Sequence, residues 1–197
     1  MSDTETLAVY AKKAQEYADL TDSAAENDPS LVAFIAAMPK GARVLDLGCG
    51  PGASAAAMAK AGLRTDAYDP VPQMVALAAQ HDAVTARQAG FHDLCGVDIY
   101  DGIWANFSLL HAPRAELPSH LSRIAKALKP AGVFHIAVKT GTGSHRDRIG
   151  RLYTYYTETE LTRLLSDAGL TVTSKREGSG KGLSGEDAEW LALSAHG

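Results

Sequence analysis

The chain has 197 residues, of which 46% are hydrophobic and 21% charged, and a formal net charge of −4. These values exclude a disordered chain, a collagen-like fibre and a disulfide scaffold, and a chain this long can bury a full core as one domain. Its Lys and Arg residues form no block that would mark a nucleic-acid or anionic-membrane binder. Cys49 and Cys95 cannot build a disulfide framework, and Met1 to Glu5 lacks the basic and apolar regions of a signal peptide. No apolar stretch approaches the roughly 20 residues that span a bilayer. A cytoplasmic protein with reduced thiols and no metal site is the expectation.

Helices come first. Leu7, Ala8, Ala11, Ala14 and Ala18 fall at helical spacing, with Tyr10 and Tyr17 nearby, until Asn27, Asp28 and Pro29 break the pattern. Leu31 to Met38 predicts a second short helix, stopped by Pro39 and Gly41. Arg43 to Leu47 is an apolar run ending in a glycine cluster, read as a buried strand entering a loop. From there helices at 53–61, 73–80 and 116–128 alternate with strands at 64–68, 83–88, 100–105 and 133–138. Such alternation implies right-handed crossovers and a mainly parallel sheet.

The end of the chain changes character. Residues 139–151 are polar and Gly-rich without a period, and are read as a long loop. Thr157 with Glu160 three residues on marks the start of a helix over 158–168. Leu170 to Lys175 and Glu189 to Ser194 are β-like runs, joined by a connection containing Gly178, Gly180, Gly182 and Gly185, so an antiparallel hairpin finishes the sheet. The expected fold is α/β and doubly wound, with seven strands and helices on both faces. Its parts are a helical cover (1–40), a ligand-binding half (41–139), and a lid loop with the hairpin (140–197).

The segment Val44-Leu45-Asp46-Leu47-Gly48-Cys49-Gly50-Pro51-Gly52 carries the most chemistry. Glycines between a strand and a helix let backbone approach a ligand closely. Gly48, Gly50 and Ala53 formally satisfy a dinucleotide pattern, which keeps an NAD-dependent oxidoreductase open as a reading. Asp46 at the strand end would repel a pyrophosphate, and Pro51 removes a backbone donor. An acidic entrance suits a ligand bearing ammonium or sulfonium charge. Asp69, 21 residues after Gly48, can accept both hydroxyls of a ribose. A nucleoside with a cationic tail answers both demands, and S-adenosylmethionine has that chemistry.

Val44 to Gly52 resembles the first motif of the class I S-adenosylmethionine-dependent methyltransferases, and Asp69 their second acidic position. Trp104 to His111 resembles the strand-four motif at the methionine end, and Ala127-Leu128-Lys129-Pro130-Ala131-Gly132-Val133 the lead into strand five, with Ala131 replacing a glycine. The likeness runs over about residues 8 to 195, and Lys139 to Gly143, Tyr153 to Leu161 and Trp190-Leu191 narrow it to small bacterial methyltransferases with unassigned acceptors. The resemblance implies S-adenosyl-L-methionine as cofactor and a small-molecule acceptor. A chain that binds the cofactor without catalysis is the alternative.

The resemblance and the residues together give a cofactor set of Tyr17, Asp46, Gly48, Cys49, Gly50, Gly52, Asp69, Pro70, Gly90, Phe91, His92, Asn106 and Phe107. Tyr17 belongs to the helical cover over the cofactor. His111 and Tyr153 are the catalytic candidates: the histidine can take a proton near neutral pH, or simply pack its loop. His145, Arg146, Arg148 and Arg151 read either as a solvated loop or as a lid that attracts an anionic acceptor.

Overall fold

The computed structural model describes residues 3–25 and 27–197. Its main sheet has seven strands: β1 (Arg43–Leu47), β2 (Arg64–Asp69), β3 (Val84–Gln88), β4 (Tyr100–Asn106), β5 (Leu128–Lys139), β8 (Thr171–Lys181) and β9 (Asp187–His196). They lie in the order β3-β2-β1-β4-β5-β9-β8. The first five are parallel, and β9 runs antiparallel between β5 and β8. The order reverses between β1 and β4, which is where doubly wound sheets open a ligand crevice. The expected α/β fold is the observed one.

Alternation along the strands sends residues to two cores. Leu45, Ile103, Phe134 and Ile136 meet α6 (Leu117–Ala127) and α7 (Glu158–Asp167) through Leu121, Ile124, Leu161 and Leu165. On the other face Val44 and Trp104 meet α3 (Pro29–Ala36) and α4 (Ala53–Lys60) through Leu31, Phe34 and Met58. α5 (Pro72–Ala78) packs along β2 and β3. Among the described residues no helix is long and apolar enough to cross a membrane.

Four elements differ from expectation. The first helix is two, α1 (Thr4–Lys12) and α2 (Ala14–Ala25), because the chain turns at Lys13. No Gly or Pro marks that turn; it sets the Tyr10 and Tyr17 rings edge to face at 5.5 Å. The expected loop 139–151 contains β6 (Ser144–Arg146), which pairs with β7 (Leu152–Thr154) as a separate ribbon. β8 extends through Gly178 and Gly180 to Lys181, so the turn is shorter than expected. Lastly, β5 begins at Leu128 and carries Pro130 and Ala131 through an irregularity opposite Tyr100 to Gly102.

Ala131 sits there at φ +60, where an L side chain is strained. Ala131→Gly is therefore expected to stabilise the chain by about 1 kcal/mol, raising its thermal midpoint by roughly 3 °C. A lower midpoint in a calorimetric scan would show that the strain is absent.

Candidate functional site

A cleft of about 320 Å³ opens at the carboxyl ends of β1, β2 and β4, with α1 and α2 as its roof. Asp46, Gly48, Cys49 and Gly50 line it from β1, Asp69 and Pro70 from β2, Asn106, Phe107 and His111 from β4 and beyond. Phe91 closes one side, and Tyr10, Tyr17 and Thr21 come down from the roof. Of the residues singled out in the sequence, Gly52, Gly90, His92 and Tyr153 do not line it. Gly52 packs against Ala78 as the residue before α4, and Gly90 leads into the short turn Phe91–Asp93. The His92 ring is exposed and lies 3.5 Å from Asp93. Tyr153 is buried behind His111, with ring centres 4.7 Å apart.

The glycine loop spends its backbone donors on the protein. Gly48 and Cys49 N–H both donate to Tyr68 O, at 2.8 and 2.9 Å, and Gly52 N–H donates to Cys49 O. Gly50 N–H donates to Asp69 Oδ2 at 2.9 Å. With Pro51 carrying no N–H, the loop from 48 to 52 offers no ring of free donors for a pyrophosphate. What it offers instead is proximity. Gly48 has φ +81, and a Cβ there would lie 2.3 Å from that of Ser108, whose hydroxyl donates to Leu47 O. Gly48→Ala is expected to lower the thermal midpoint by several degrees and to close this edge of the cleft. A melt matching the native one would refute that packing.

The two acids are electrostatically distinct from surface carboxylates. Asp46 is buried and its Oδ2 has no hydrogen-bond partner. Burial first, then the neighbouring Asp69 charge, pushes its carboxyl up to about 7, against the backbone N–H of Ala55. Asp69 is pushed up to about 6 by burial, opposed by the N–H groups of Val71 and Gly50. Each Asp69 oxygen accepts one of these, at 2.9 Å, and each retains a second lone pair. Two buried carboxylates lining one cleft, one of them with a partnerless oxygen, form a cation-seeking site.

A polar chain crosses the roof. His111 Nδ1 lies 2.8 Å from Leu152 O, and a carbonyl only accepts, so Nδ1 carries the proton and Nε2 is the acceptor. The Tyr10 hydroxyl donates to that Nε2 at 2.9 Å and itself accepts from Arg151 at 2.9 Å. Burial, reinforced by Arg151 and Lys139, holds the imidazole down to about 4, so it is neutral at physiological pH. His111 thus does not present its basic nitrogen openly; Tyr10 covers it. The tyrosine was legible only as a helical position, since its partner lies 101 residues away.

Arg151 is buried and bonds Asp147 through Nε and one terminal nitrogen, at 2.9 and 2.8 Å. Arg146 bonds Asp3 at 2.8 Å. Two of the three arginines in that basic stretch thus tie the ribbon to α1, Arg146 through Asp3 and Arg151 through the Tyr10 hydroxyl, a structural task that a polar stretch of sequence does not disclose. Cys49 is buried and Cys95 exposed, and the described residues contain no cluster able to hold a metal.

The chain matches the family described as "Methyltransferase domain" over residues 11–175. A crystal structure of Burkholderia thailandensis 1,6-didemethyltoxoflavin-N1-methyltransferase, with 1,6-didemethyltoxoflavin and S-adenosylhomocysteine bound, superposes with a TM-score of 0.77 and 28% identity, covering 100% of this chain and 90% of that one. The cypemycin N-terminal methyltransferase of a Streptomyces species is 34% identical over 132 residues, 64% of this chain and 54% of the relative. A ubiquinone biosynthesis O-methyltransferase of Xanthomonas campestris is 30% identical over 118 residues, 56% and 48% respectively. The chain thus spans about half the length of these two curated relatives. By its matched residues and its strand order, the chain belongs to the methyltransferase domain family, whose cofactor is S-adenosylmethionine.

Proposed function

We propose that the chain transfers a methyl group from S-adenosylmethionine to a nitrogen or oxygen of a small-molecule acceptor. The observation that carries this reading is the partnerless, buried Oδ2 of Asp46, a residue that lines a cleft whose glycine loop has no donors left for a phosphate. A cofactor with an ammonium and a sulfonium fits that donor set, and a pyrophosphate-bearing dinucleotide does not. Asp46 would face the cationic tail, with Asn106, Phe107 and Tyr17 around it. Asp69 would hold the ribose hydroxyls, and Phe91, Met74 and Val71 the base. When bound, S-adenosylmethionine supplies a methyl group already activated toward a nucleophile.

The protein's part is then to align the acceptor, exclude water and remove one proton. Tyr10 meets the acceptor and hands its own proton to His111 Nε2 as it receives one, so no phenolate forms. A base held near 4 takes that proton only as the new bond makes it acidic, which suits a neutral hydroxyl or ring N–H. The relatives are by name an N1-methyltransferase, an N-terminal methyltransferase and an O-methyltransferase, which supports a nitrogen or oxygen acceptor without choosing between them.

The test is formation of S-adenosylhomocysteine with a panel of acceptors, beginning with 1,6-didemethyltoxoflavin. Tyr10→Phe is expected to lower turnover about a hundredfold while leaving cofactor affinity within a few-fold of native. Cofactor binding with no turnover on any acceptor would point to the non-catalytic alternative, and full turnover by the variant would remove Tyr10 from the proton path.

A further inference from the structure

Lys139 ends β5 at the same edge of the sheet as the cleft. Asn106 pairs with Ala137, so Lys139 stands one strand over and two residues further out, on the same face as Asn106. Strand geometry puts the two positions roughly 8 Å apart. The ammonium is half-buried, and among the described residues no carboxylate lies within 4 Å of it. Arg114, Arg146 and Arg151, by contrast, each engage a carboxylate.

What does surround Lys139 is aromatic. Its nitrogen lies 3.9 Å from the centre of the Tyr153 ring. Trp190 pairs with it across β9 and stands edge-on to Phe107, ring centres 6.3 Å apart. The indole lies over Gly178, where a Cβ would come within 2.4 Å of it. Phe107 lines the cleft and is held at φ +53, a strained conformation for a bulky residue. Burial and the nearby Arg151 push the lysine below its usual range, while Asp147 and Glu186 pull the other way from beyond ion-pair distance. A desolvated cation without a counter-ion is unfavourable unless an anion completes it.

We propose that Lys139, Phe107 and Trp190 form the acceptor-recognition subsite, and that it takes a planar ring bearing a carboxylate. This rests on the methyltransferase reading and deepens it by naming the acceptor class. The ammonium pairs with the carboxylate and the rings stack or meet edge-on with the acceptor's plane. The methylated nitrogen or oxygen lies elsewhere on that ring, toward Tyr10.

The probes are benzoate and its neutral analogue benzamide, titrated by calorimetry or protein NMR into the full chain, with and without S-adenosylhomocysteine. Benzoate is expected to bind in the millimolar range of a small fragment, about tenfold or more tighter than benzamide. Lys139→Met is expected to abolish that preference, Lys139→Arg to keep it, and Lys139→Met to melt no lower than the native chain because it removes an unpaired cation. Equal binding of the two probes, no binding of benzoate, or a preference that survives Lys139→Met overturns the proposal. The comparison of probes on the native chain holds even if a variant does not fold. Lys139-dependent benzoate binding in a chain that ignores S-adenosylhomocysteine would sink the cofactor reading and leave the subsite standing.

Discussion

Asp46→Asn is expected to weaken binding of S-adenosylmethionine by about a hundredfold while leaving the unliganded chain at least as stable at pH 8. The two effects have one cause. The Asp46 carboxyl is raised to about 7, mainly by burial, so ionising it in the unliganded fold is unfavourable. A raised carboxyl contributes stability that is fully present below its ordinary value near 4 and is lost as pH rises through about 7. At pH 8 the native chain therefore holds an unpaired buried charge, and the amide variant does not. The cofactor's cationic tail would compensate that charge, and a charged hydrogen bond is worth about 1.5–3 kcal/mol. A structural residue would behave in the opposite way. Unchanged affinity with a lowered melting point would show that Asp46 serves the fold and not the ligand.

Removing Arg151 is the largest stability effect to expect. Its guanidinium bonds Asp147 twice, donates to the Tyr10 hydroxyl, and sits 5.2 and 5.1 Å from the ring centres of Tyr10 and Tyr153. Both charged side chains are 3% exposed or less. Arg151→Ala would leave Asp147 buried without its partner, a loss of about 3–5 kcal/mol and roughly 10 °C in thermal midpoint. Asp147 Oδ1 also accepts from the backbone N–H of Ile149 and Arg151, bonds the substitution leaves in place, while the tie from the ribbon to Tyr10 is lost. Replacing Arg151 by Met together with Asp147 by Asn is expected to recover much of the loss, because no charge is then left behind and Oδ1 still accepts from the backbone N–H groups of residues 149 and 151. A single variant that unfolds in urea at the native midpoint would contradict this description of the roof.

How far the sequence discloses this site depends on the range of each interaction. β1 and the loop after it are legible because an apolar run, an acid and a set of glycines lie within ten residues of one another. Asp69 follows from a spacing within one strand–helix–strand unit. The short strand β6, in contrast, is three exposed polar residues, Ser144 to Arg146, without any period to read. Arg151 carries no local sign of burial beyond an aspartate four residues earlier, a spacing common on solvated surfaces. The pairing of Tyr10 with His111, and of Thr6 with the backbone of Leu152, joins the first helix to segments over a hundred residues away. Such contacts are set by the sheet order, which local pattern does not encode. His92 shows the converse: its place in the sequence suggests a ligand contact, and a short turn points it to solvent beside Asp93.

The cleft between β1, β2, β4 and the roof is expected to bind S-adenosylmethionine through two buried acids, Asp46 and Asp69. The most direct test is calorimetric titration of the native chain with S-adenosylmethionine at pH 8 and at pH 5.5. The cationic tail selects the ionised form of Asp46, and the ribose hydroxyls donate to the ionised form of Asp69; the two carboxyls are held at about 7 and about 6 in the unliganded fold. Binding should therefore be one-to-one at pH 8, weaken by about tenfold or more at pH 5.5, and release protons to the buffer between these values. The absence of binding at submillimolar cofactor at both pH values, or an affinity that does not change between them, would contradict the account.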